Sequence, residues 1–109
     1  MASHEFQILP RTPMPGERYD RYEPEWGPII AVDDDWLDAL REQLSDLPVY
    51  WHTLDWPERG LNLCGITLIP PESIPGMLAA LGGAAALSPL RALLEQAAST
   101  HRFLIHYGL

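Results

Sequence analysis

The nine residues from Leu61 to Ile69 narrow the folds open to this chain more than any other segment. The run is mostly apolar at odd and even positions alike, is entered through Gly60 and is stopped by Pro70-Pro71. A strand with apolar side chains on both faces belongs in the interior of a sheet. Tandem proline then removes the amide donors that a ladder needs. Cys64, mid-run beside Gly65, reads as a small buried hydrophobe rather than a nucleophile, which needs a depressed pKa and solvent access.

The rest of the chain supplies partners for that strand. Ile29 to Val32 is a short apolar strand running into Asp33-Asp34-Asp35. These carboxylates suit a helix start, as a cap and as first-turn acids facing the dipole. Trp36, Leu37, Leu40 and Leu44 recur at helical spacing, predicting a helix over 34–45 with Trp36 in the core. Residues 49–53, β-branched and aromatic, form a strand, followed by a loop with Trp56 at its tip. Ser73 opens a helix over 73–81 that Gly82-Gly83 ends, and Ser88-Pro89 opens another over 89–100. Residues 102–107 form the final strand. The order is β-α-β-β-α-α-β. The short connection between the middle strands favours a hairpin, so the fold is α+β, a small mixed and partly antiparallel sheet with helices packed on it. Leu40, Cys64, Ile66, Leu78 and Leu94 are the expected core.

Residues 1–28 read differently from residues 29–109. Pro10, Pro13, Pro15, Pro24 and Pro28 punctuate a polar stretch, predicting an extended segment that docks on a single α+β domain. Phe6, Ile8 and Leu9 suggest a short edge strand within it. Tyr19, Tyr22 and Trp26 supply aromatic area for docking.

Charge limits the function. The 109 residues carry a net charge of −8, which opposes nucleic acid and anionic membrane surfaces. One cysteine excludes an internal disulfide framework and suits a reducing compartment. With no leader-like opening and no long apolar run, the expected location is cytoplasmic.

Motifs for chemistry are missing. Asp33 to Asp35 lack the alternating spacing and glycine turn of a calcium loop. His52 and His106, with Asp55, would make a transition-metal site only if their strands converged. Ser73 and Ser88 are explained as caps, and no nucleophile elbow, Walker loop or dinucleotide fingerprint exists. We therefore expect no cofactor, no bound metal and no catalytic residue.

What remains is the placement of acid and indole. Residues 17–58 hold twelve of the fifteen carboxylates and all four tryptophans. Trp26 and Trp56 lie in proline-flanked loops beside Glu23, Glu25, Asp55 and Glu58. Those six residues are the expected partner-binding set, the rings as anchors and the acids as selectors of a basic protein. In size and charge alone the chain resembles bacterial immunity proteins and nuclease inhibitors, compact acidic α+β domains that bind basic partners. Two alternatives are a homodimer that covers its own tryptophans and a small enzyme or ligand-binding domain with a cleft lined by Trp51, His52, Asp55 and His106.

Overall fold

The computed structural model describes residues 2–109. Six strands form one sheet: β1 (Ser3–Ile8), β2 (Ile29–Asp33), β3 (Pro48–Trp51), β4 (Pro57–Arg59), β5 (Ile66–Ile69) and β6 (Leu104–Tyr107). Their order is β2-β1-β6-β5-β3-β4, and every pairing among the described residues is antiparallel. Four helices complete the α+β fold: α1 (Asp34–Ala39), α2 (Arg41–Leu44), α3 (Ile74–Leu81) and α4 (Ser88–Ser99). None is long and apolar enough to cross a membrane.

Alternation along the strands divides the core into two. On one face Phe6, Val32, Val49, Ile69 and Leu104 meet the helix stripes, among them Leu37, Leu44, Met77, Leu90 and Leu94. On the other, Leu9, Ile66, Leu68, Ile105 and Tyr107 are covered by Tyr19, Trp26, Tyr50, Leu54 and Phe103. Residues 10–28 thus lie as a strap over the second face. Buried Gln7 holds the strap, its side-chain amide donating to the Glu23 and Gly27 carbonyls at 3.2 and 3.0 Å. The Tyr107 hydroxyl donates to Gln7 Oε1 at 2.9 Å.

Several sequence expectations need correction. β1 is no edge strand; it lies between β2 and β6 because His4 and Phe6 face the helices while Glu5 and Gln7 face the strap. The helix expected over 34–45 breaks at Leu40, leaving Leu37 and Leu44 buried, Leu40 half-buried and Trp36 at 38% exposure. Leu78 is also half-buried.

The largest departure is in the run that looked most like strand. Only its second half, Ile66–Ile69, joins the sheet. Asn62 ends the ladder by folding the chain onto itself: its side-chain oxygen accepts from the Cys64 N–H, its carbonyl from Gly65, and its own N–H donates to Thr67 Oγ1 at 2.8 Å. Gly65 is required there, since a Cβ would lie 2.5 Å from Asn62 Nδ2. Cys64 is consequently exposed, not buried.

Candidate functional site

Past β3 the chain turns at His52, whose φ of 65° is left-handed and rare outside glycine. The turn places its ring on the strap side of the sheet. His52 Nδ1 lies 2.9 Å from Asp20 Oδ1 and 3.1 Å from the Tyr19 carbonyl oxygen. Two acceptors at that nitrogen fix the proton on Nδ1 and leave Nε2 as an acceptor, 3.5 Å from the Ile66 N–H.

That ring is one wall of a shallow groove of about 460 Å³, also lined by Glu5, Asp20, Tyr22, Cys64 and Tyr107. Two carboxylates and two phenol rings share this lining, Tyr22 standing edge-on to Tyr107 with centroids 4.9 Å apart. The Tyr22 hydroxyl is pushed above its ordinary pKa by hydrogen bonding to Glu5, while burial pushes Tyr107 up to about 12. Asp20 is held below the usual carboxylate range by Arg18, with His52 a smaller contribution.

The strap beside the groove carries Glu23 and Glu25. The neighbouring Glu25 carboxyl raises Glu23 above the usual carboxylate range. Neither carboxylate has a cation within ion-pair distance among the described residues, although Arg11 pairs with Glu17, Arg18 with Asp20 and Arg41 with Asp38.

The six expected partner-binding residues occupy two places, linked through Tyr19 and His52. Trp26 is half-buried against the second core and stands edge-on to Tyr19, centroids 6.2 Å apart. Tyr19 donates its N–H to the His52 carbonyl at 2.7 Å, and the His52 ring lies 6.3 Å from that of Trp56. Trp56 is 43% exposed, leaning on Trp51 with its indole N–H on Glu58 Oε2 at 3.1 Å. Asp55 is partly occupied, accepting from the Gly16 N–H at 3.1 Å and so fastening the strap.

The four residues of the alternative cleft do not share a concavity. His106 is fully buried on the helix face as the cross-strand neighbour of Phe6, while His52 opens on the strap face. The pair therefore cannot hold one metal ion, and no cluster of three or more metal-ligating side chains exists among the described residues. His106 bonds instead to His4, whose Nδ1 is 2.8 Å from His106 Nε2, and His4 Nε2 reaches Asp34 Oδ1 at 2.8 Å.

Sequence reasoning missed Glu5, Asp20, Tyr22 and Tyr107. They meet only because β1 pairs with β6 and the strap returns over both, and no local pattern carries that pairing. No family model, curated protein or solved structure gives a significant match to this chain.

Proposed function

We propose that the chain is a small acidic interaction domain that binds a basic protein partner on its strap face. A lysine or arginine side chain of the partner enters the groove between Glu5 and Asp20. The observation that carries this reading is the groove's own lining, in which the carboxylates of Glu5 and Asp20 stand with the rings of Tyr22 and Tyr107; on the strap beside it Glu23 is hydrogen-bonded to Glu25, with Arg21 only a minor influence. An incoming ammonium or guanidinium meets these carboxylates, and the aromatic walls accept the rest of the side chain by stacking. Trp56 adds exposed area at one end, and the proline-stiffened strap loses little entropy on binding.

The test is a pull-down at low and high salt, followed by association kinetics on the captured partner. Glu23→Gln with Glu25→Gln should slow association and flatten its salt dependence, as loss of steering does. Trp56→Ala should cost on the order of 2 kcal/mol of affinity, appearing mainly as faster dissociation. A partner whose binding ignores all three substitutions would remove the strap face from consideration.

A further inference from the structure

Leu61 and Leu63 are apolar residues that the sheet does not use. The turn at Asn62 carries them out of the ladder and sets them opposite the helix pair α1 and α2. Gly60 makes the turn possible, since its φ of 81° is left-handed and strained for any residue with a side chain. Its N–H donates to the Leu47 carbonyl at 2.9 Å, pinning the loop. Between loop and helices is a pocket of about 190 Å³. Its apolar lining is Leu37, Leu44, Leu61 and Leu63, the last 37% exposed at the rim. Its charged lining is Arg41 and Arg59.

That pairing of surfaces is informative in a chain with seven cations against fifteen carboxylates. Two of the seven converge on one leucine-lined opening. Arg59 has no carboxylate partner among the described residues; one of its terminal nitrogens donates to the Asp46 carbonyl at 3.0 Å, which fixes the side chain and leaves its other N–H groups free. Arg41 pairs with Asp38 where both are well exposed, so that pair gives way to a competing anion at little cost.

We propose that this pocket binds a medium-chain fatty carboxylate, the tail among Leu37, Leu44, Leu61 and Leu63 and the head between Arg41 and Arg59. An apolar cavity of about 150 Å³ accommodates a benzene ring, so this one has room for a tail of roughly six to eight carbons. Guanidinium groups take carboxylates bidentately. A single charge fits better than several, because the net charge of −8 opposes any polyanion or acidic protein. The pocket is formed by α1, α2 and the 59–63 loop, and shares no lining residue with the strap-face groove. It stands independently of the partner-binding reading.

The experiment is a titration of the isotope-labelled protein followed by two-dimensional amide NMR, using hexanoate, octanoate, 1-octanol and N-acetyl-leucine as probes. Octanoate should shift amides of residues 37–45 and 59–63 saturably. Each methylene between hexanoate and octanoate should tighten binding about fourfold. Arg41→Gln with Arg59→Gln should weaken octanoate at least tenfold while leaving octanol unchanged, and Leu63→Glu, at a half-exposed rim, should abolish binding with spectral dispersion retained. Octanol binding as tightly as octanoate, unsaturable shifts, or shifts centred elsewhere would overturn the proposal. N-acetyl-leucine binding more tightly than hexanoate would transfer the pocket to a peptide C-terminus and overturn the fatty-acid assignment.

Discussion

His106 shows how much a single buried side chain can decide. The carboxylate of Asp34 fixes the whole chain of hydrogen bonds behind it. Facing Asp34, His4 must carry its proton on Nε2, so its Nδ1 accepts from His106 Nε2–H, and His106 Nδ1 accepts from the Thr67 hydroxyl at 3.0 Å. Thr67 in turn accepts from the Asn62 N–H. All donors run one way, which requires His106 to be neutral. Burial first, then the nearby His4, pushes its pKa down to about 3. Because the folded value lies below the ordinary value of about 6.5, the unfolded chain binds the proton first. The stability contributed by neutral His106 is fully present above pH 6.5 and is lost as pH falls towards 3, at up to ~1.4 kcal/mol per pH unit. Urea denaturation of wild type and His106→Asn between pH 7.5 and 4 should show a shallower acid slope in the variant, since all other titrating groups are shared. The variant should also be less stable at pH 7.5 by about 1–3 kcal/mol, because it disrupts a buried chain whose members then lack partners.

Among the elements, long helices with clean stripes are legible and short ones are not. α3 and α4 sit within a residue or so of where leucine spacing and the opening prolines put them, although neither serine caps as expected: the Ser73 hydroxyl donates to the Pro48 carbonyl and Ser88 is already inside α4. Over 34–45 the same reasoning fails by one residue. Trp36 and Leu37 are adjacent, a six-residue helix buries only one of them, and the break at Leu40 selects Leu37. Leu37→Ala should therefore cost about 2–4 kcal/mol in chemical denaturation and Trp36→Ala less than about 1. The reverse order would restore the unbroken helix. The misreading of 61–65 has a different origin. Periodicity counts apolar residues but not the acceptor on Asn62, and that one amide, with glycine three residues later, outweighs β-propensity for half the run.

At the scale of the molecule, the α+β class follows from the alternation of strand and helix signals, whereas the strap-face groove depends on a pairing between residues about a hundred positions apart, Phe6 opposite His106. Composition does mark the acidic stretch, which supplies Asp20, Tyr22 and His52 to the groove, with the Trp56 ring 6.3 Å from that of His52. Glu5 and Tyr107 give no local sign of it. The same pairing governs the order in which the protein is assembled. β6, last of the strands along the chain, lies third in the sheet, with β2 and β1 on one side and β5, β3 and β4 on the other. Before residues 104–107 are in place there is no single sheet, only a two-stranded and a three-stranded fragment, each with an open edge. A chain ending at residue 103 should show no cooperative thermal transition and should aggregate, while the full chain should fold slowly for its size by stopped-flow fluorescence. On a ribosome, those two fragments must wait side by side until the final strand emerges, and for that interval the nascent chain has two unpaired edges and no finished core.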